Sequence, residues 1–196
     1  SLTAITPATR ATVIRETTKI DAGEAPRLST DEAPVWYNIL FTRTGDYLSI
    51  GTDADKLAVI RQSDTALDPA MMWRLETGGT NPDEFFLKNR NGDYLRWDTD
   101  NNRFNTTTVS TEAAPFRLAE YIENGPDRDK WALHYVAAKA QAWIQYLKPA
   151  DDKNSVAQAP ATEPARAAIL FKKMVIDEPD YCTTDSTDWR RLYFYN

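Results

Sequence analysis

The sequence predicts an all-β, barrel-like domain assembled from three related units of four short strands. Three observations predict it. The first is an internal repeat: Gly45-Asp46-Tyr47-Leu48 returns as Gly92-Asp93-Tyr94-Leu95, and the segment from Tyr37 to Leu57 matches that from Glu84 to Phe104 without a gap, with eight identities in twenty-one positions. A period near 47 residues is the length of one supersecondary unit used more than once. The second is composition: six Trp, nine Tyr and seven Phe against three Met, a set that suits a pleated, half-buried surface. The third is spacing, because polar turn signals separate short apolar runs every ~8–12 residues.

The elements follow in order. Residues 1–26 are rich in Thr, Ala and Pro and poor in aromatics. They form an N-terminal arm or linker, with one strand expected within Thr12–Ile20. The repeat region opens with a strand at Trp36–Phe41. Thr44-Gly45-Asp46 is its turn, glycine supplying the positive φ that tight hairpins need. Strands at Tyr47–Ile50, Leu57–Ile60 and Trp73–Leu75 complete the first unit. The second repeats this order with Phe85–Leu87, Tyr94–Trp97, Arg103–Phe104 and Phe116–Leu118. The third, more diverged, places strands at Trp131–Tyr135, Trp143–Tyr146, Val156 and Ile169–Phe171, with no glycine in its hairpin. The units are expected near Val35–Glu76, Asp83–Glu120 and Lys130–Lys173. Antiparallel closure of such units removes exposed sheet edges. Residues 175–196 form a C-terminal extension in which Arg191–Tyr195 can make one strand.

Charge and residue inventory narrow the function. A formal net charge of -6 argues against nucleic acid, which requires a basic face, and against anionic membranes and polysulfated glycans. With one Cys (Cys182) and one His (His134), neither an internal disulfide nor a Cys/His zinc cluster can form. No apolar run reaches the roughly 18 residues of a membrane span. The N-terminus lacks a charged-then-apolar signal pattern, and a start at Ser1 suggests a removed leader or an excised domain. His134 alternates with Leu133 and Tyr135, so it is expected to face outward, and it has no identifiable triad partner. No carboxylate pair is marked out for glycosidase chemistry. A non-catalytic protein without cofactor or metal is expected.

The hairpin Gly92-Asp93-Tyr94-Leu95-Arg96-Trp97-Asp98-Thr99-Asp100 and the closing strand Ala168-Ile169-Leu170-Phe171 resemble matching strands of the β-trefoil superfamily, which includes ricin-type lectins, fascins and fibroblast growth factors. The resemblance covers residues 27–174. Asp31-Glu32-Ala33-Pro34-Val35-Trp36-Tyr37 is similar to the start of trefoil domains in large secreted proteins of Bacteroidetes. The resemblance implies a carbohydrate-binding-like module of a secreted or surface-attached bacterial protein, with a glycan or protein partner. A trefoil does not fix function, so an assembly domain or protease inhibitor is the second reading, with Gln62–Ala70 and Asp151–Ala165 as its loops.

Site expectations follow from comparing units. Ricin-type lectins close each unit with Gln-x-Trp. Here those positions read Met71-Met72-Trp73, Ala114-Pro115-Phe116 and Ala167-Ala168-Ile169, so a ricin-type galactose site is not expected. Gln141-Ala142-Trp143 spells the motif in a hairpin instead. The basic cluster that resemblance to fibroblast growth factors would require is absent, since Lys148, Lys153 and Arg166 are balanced by Asp151, Asp152 and Glu163. A glycan site is expected at the hairpin turns, on Asp53, Asp55, Asp100, Asn101, Asn102 and Asp152. Asp98–Asn102 also resembles the opening of a calcium loop, but Arg103 and Val109 stand where that loop needs Gly and Glu, which leaves a polar turn. Leu48, Ile50, Leu95, Trp97, Ile144 and Tyr146 are expected in the core, as are Trp73, Phe116 and Ile169. Trp36, Trp131 and Trp143 are left open, and Trp189 is the candidate interface aromatic. Asn105-Thr106-Thr107 is a formal glycosylation sequon.

Overall fold

The computed structural model describes residues 25–62, 68–121, 130–136, 145–149, 155–159 and 167–174. Twelve strands run through them: β1 (Trp36–Phe41), β2 (Asp46–Ile50), β3 (Ala58–Arg61), β4 (Trp73–Thr77), β5 (Phe85–Asn89), β6 (Tyr94–Asp98), β7 (Arg103–Thr107), β8 (Phe116–Tyr121), β9 (Lys130–Tyr135), β10 (Gln145–Pro149), β11 (Val156–Ala159) and β12 (Ile169–Met174). Two 3-10 turns, Pro69–Met71 and Ser110–Glu112, precede β4 and β8. Among the described residues there is no α-helix.

Six strands close on themselves. β1 pairs with β4 and β12, β5 with β4 and β8, and β9 with β8 and β12, all antiparallel. The remaining strands form three hairpins, β2–β3, β6–β7 and β10–β11, whose outer strands β3, β7 and β11 meet one another. A six-stranded barrel capped by three hairpins is a β-trefoil, and the four-strand unit is its repeat.

Alternation explains which side chains go inside. On β1, Tyr37, Ile39 and Phe41 are buried. The closing-strand positions Trp73, Phe116 and Ile169 are fully buried, and two residues on, Leu75, Leu118 and Phe171 join the same core. Trp131 is also core, which settles one position that the sequence leaves open. The Trp73 indole N–H donates to the Leu48 carbonyl at 3.0 Å, which ties a barrel strand to the cap. Residues 25–35 belong with the barrel as well. Ser29 N donates to Leu75 O at 2.7 Å, Arg27 N to the Tyr37 hydroxyl at 2.9 Å, and Leu28 enters the core.

Gly45 and Gly92 close their turns at φ +73° and +98°, and a Cβ at either would meet nothing within 4 Å. Backbone conformation, not space, therefore selects glycine there. Gly92→Ala is expected to lower stability by about 1 kcal/mol, read as a shift in the urea midpoint with an unchanged slope. An unaltered midpoint would show that the turn relaxes at no cost.

Register corrects two expectations. Ile50 pairs with Ala58 and Trp97 with Phe104. The structural partner of Phe104 is therefore Ala58, not Leu57, and the β2–β3 turn carries one residue more than the β6–β7 turn. In the third unit, His134 pairs with Tyr146 as Lys88 pairs with Tyr94. Tyr146 thus corresponds to Tyr94, not to Trp97. Pro149, opposite Val156, holds the place of Trp97 and Ile50. The described part of β10 is Gln145–Pro149. Trp143, Ile144, Trp189 and the side chain of Tyr146 lie outside the described residues, as do Cys182, the arm strand and the C-terminal strand.

Candidate functional site

The hairpin turns of the first two units meet. The β2–β3 turn of the first unit lies against the β6–β7 hairpin of the second. Asp55 pairs with the Arg103 guanidinium at 3.1 Å, Thr106 Oγ1 donates to Lys56 O at 3.1 Å, and Leu57 bridges to Asn105. Lys56 holds φ at +45° and places its Nζ 3.1 Å from both carboxylate oxygens of the buried Asp93. The Asp of the second Gly-Asp-Tyr-Leu copy is therefore a docking point between units.

These contacts divide the sequence-predicted site residues. Asp55 is committed to Arg103. Asn101 is committed to Asp98, whose carboxylate accepts from Asn101 N at 3.3 Å and Asn101 Nδ2 at 2.8 Å. The Asn101 side chain, then the neighbouring Arg96 and Arg103 charges, hold the Asp98 carboxyl below its ordinary value despite some desolvation. The turn reading of Asp98–Asn102 thus has its physical cause: Asp98 is spent on its own hairpin. Asp53, Asp100 and Asn102 are exposed, and their side chains make no hydrogen bond or ion pair within the described residues. Asn102 sits at φ +52°, a conformation Asn tolerates. Asp152 lies outside the described residues. Arg103 and Asp98 organise the surface, yet the sequence alone does not single them out, because their partners are distant or shared.

The outward face of β6–β7 carries a second polar network. Arg96 donates from Nε to Asn105 Oδ1 at 3.0 Å and from Nη1 to Glu112 at 3.3 Å, and Thr107 donates to the same Glu112 oxygen at 2.9 Å. Asn105, the sequon residue, is buried and bonded, so its amide is not presented to solvent. In the first unit Arg61 pairs with Asp68, which caps the 3-10 turn Pro69–Met71. Both units therefore tie the outer face of the hairpin to the turn before the closing strand by an arginine–carboxylate pair.

His134 faces outward opposite Arg117, as alternation predicts, and is half-buried. Burial, then the Arg117 charge, lowers its pKa, with Asp83 and Glu84 opposing. Those carboxylates are themselves paired with Arg117, at 3.1 and 2.9 Å. Among the described residues no group of three or more His, Cys, Asp or Glu is arranged to hold a metal, and no helix is long and apolar enough to cross a membrane.

Trp97 departs from the expected core position. It packs against the core but is only partly buried, where Ile50 at the matching position is 7% exposed. Its ring lies 4.8 Å from that of Phe104 and 6.0 Å from that of Tyr135. Alternation points the side chain inward correctly, but an indole is larger than the space an isoleucine fills. Trp36, left open by the sequence, is half-buried on the barrel exterior with the Arg74 and Arg90 guanidinium groups over its ring at 5.4 and 5.7 Å.

No family model and no curated protein matches the sequence. Solved structures share the fold. The BEL β-trefoil, in an apo crystal form, superposes with a TM-score of 0.56 at 12% identity, covering 76% of this chain and 98% of that one. A ricin B-like lectin from Macrolepiota procera, in complex with lactose, superposes at 0.50 and 12% identity over 79% and 99%. A GlcNAcα1-4Gal-releasing endo-β-galactosidase from Clostridium perfringens superposes at 0.52 and 13% identity, over 76% of this chain but 35% of the enzyme. At these identities the likeness establishes the β-trefoil fold.

Proposed function

We propose that residues 27–174 are a non-catalytic glycan-binding module of a secreted or cell-surface bacterial protein. The observation that carries this reading is the set Asp53, Asp100 and Asn102, exposed on the paired hairpin turns with side chains unspent within the described residues. Such groups can accept and donate to sugar hydroxyls on a shallow surface. The lectin among the structural neighbours is seen with lactose, and the galactosidase joins a similar domain to a longer chain, which supports the class of ligand without naming it. Affinity for one module is expected to be modest, since a shallow site buries little area against the cost of ordering.

Binding to an array of immobilised glycans tests the reading. Neutral glycans should be retained, heparin should not, and Asp100→Ala with Asn102→Ala should reduce retention several-fold. Undiminished retention by that double variant would remove these turns from the site, and a blank array would remove the function.

A protein-binding role, with protease inhibition as one form, has its own observation. Val109 is 47% exposed, and its loop is held in shape. Val109 N donates to Thr107 Oγ1 at 3.1 Å, Glu112 N donates to Val109 O at 3.0 Å, and Arg96 anchors Glu112. A fixed loop with an apolar tip suits a protein partner. A blank array together with a partner lost on Val109→Asp would favour this reading.

A further inference from the structure

The three units are not equivalent where the cap meets the barrel, and the difference points to a ligand. At the cap position the units carry Ile50, Trp97 and Pro149, each opposite the first buried residue of its partner strand: Ala58, Phe104 and Val156. At the barrel position paired with the closing aromatic or aliphatic residue they carry Phe41 opposite Ile169, Asn89 opposite Trp73 and Tyr135 opposite Phe116. Phe41 is fully buried and has no polar atom to satisfy. Asn89 is fully buried and fully used: its Nδ2 donates to Ala70 O at 2.9 Å and its Oδ1 accepts from Asn91 N at 3.0 Å. Tyr135 is 9% exposed, and its hydroxyl has no hydrogen-bond partner among the described residues. Its oxygen is not among the polar atoms sealed from solvent without a partner, so a ligand hydroxyl can reach it.

The second unpaired group lies beside it. The Trp97 indole N–H also has no partner among the described residues, in contrast to Trp73, whose N–H is bonded to the Leu48 carbonyl at 3.0 Å. The two rings are 6.0 Å apart at 38°, and both pack on Phe104. One unit junction therefore brings together a partly exposed indole, a free indole N–H and a free phenol, where another junction holds a short aliphatic residue and a saturated amide.

We propose that Trp97 and Tyr135 form the stacking subsite of this module and that it takes a neutral hexose. The apolar face of the sugar lies on the indole, and sugar hydroxyls satisfy Tyr135 Oη and Trp97 Nε1. Electrostatics exclude an acidic sugar. The adjoining turn carries Asp98 and Asp100, and the nearby Arg103 is committed to Asp55 and Asp98. Asp100 and Asn102, in the turn past the Asp98–Arg103 pair that follows Trp97, then extend the subsite towards the next sugar. This inference rests on the glycan-binding reading and narrows it to one site per chain, at the junction of the second and third units.

The test is titration of the uniformly 15N-labelled chain with glucose, galactose, mannose and N-acetylglucosamine at millimolar concentration, following the six tryptophan indole signals. One signal should move with at least one of these sugars, and Trp97→Phe should identify it by its loss. Tyr135→Phe removes a hydroxyl that bonds nothing among the described residues, so the melting temperature should hold while sugar affinity falls about tenfold, the worth of one or two hydrogen bonds. A glycan retained on the array that moves no indole signal of Trp97, or that binds Tyr135→Phe as tightly as the parent, would place the subsite elsewhere and leave the glycan-binding reading standing. A chain that binds neither arrayed glycans nor these sugars would overturn both.

Discussion

Trp73→Ala is expected to destabilise the domain by about 3–5 kcal/mol, the cost of truncating a large, fully buried aromatic. Trp73 has no exposed surface and stands where a first-unit closing strand meets β1 and β5. Truncation also strands the Leu48 carbonyl, the acceptor of its indole N–H, adding about 1 kcal/mol within that range. Trp73→Phe should recover most of the packing and none of the hydrogen bond, and so fall between. Chemical denaturation of the three proteins checks the order. A variant Trp73→Ala that unfolds at the parent's midpoint would mean that the three-fold core is wrongly assigned.

Glu84→Gln is expected to cost about 2–3 kcal/mol, since bonds to a charged acceptor are worth more than neutral ones. Glu84 is 2% exposed and gathers the β4–β5 turn. It accepts from Thr80 N and Asn81 N, from Asn81 Nδ2, and from Arg117 Nη2 at 2.9 Å. Burial alone would raise its pKa, but the Asn81 side chain, the two backbone N–H groups and the Arg117 charge outweigh burial and lower it. A lowered folded pKa means stability that is present above the ordinary glutamate value and lost as pH falls through the folded one. The parent should therefore weaken on acidification below about pH 4.5, and the part of that slope due to Glu84 should vanish in Glu84→Gln. Equal slopes in parent and variant would show that the carboxylate is not held ionised.

Much of the fold is legible in the sequence because it is written locally. Gly45 and Gly92 mark turns whose φ only glycine adopts comfortably, and alternation on β9 places Leu133, His134 and Tyr135 on their correct sides. The departures from local pattern depend on register and volume. In the third unit the hairpin lacks glycine, so Trp143 draws the alignment. Yet Tyr146-Leu147-Lys148 spells the pattern of Tyr94-Leu95-Arg96, and that is the pairing β10 adopts. Trp97 points inward as alternation predicts, but pattern carries no measure of the space available. The site is the least legible part. Asp55, Asn101 and Asn105 look like free polar groups until Arg103, Asp98 and Arg96 are brought to them by folding. The partners are up to 48 residues apart, beyond the reach of any local motif.

The proposed subsite gives a three-fold fold its binding chemistry at one unit junction. Stoichiometry measures it most directly. Titration calorimetry of the chain with the neutral oligosaccharide best retained on the array should give one equivalent per chain, and Trp97→Phe should abolish the heat without lowering the melting temperature to that of Trp73→Ala. Two or three equivalents per chain, surviving Trp97→Phe, would place sugar on units that carry Ile50 and Pro149 at the matching position, and would contradict a single subsite.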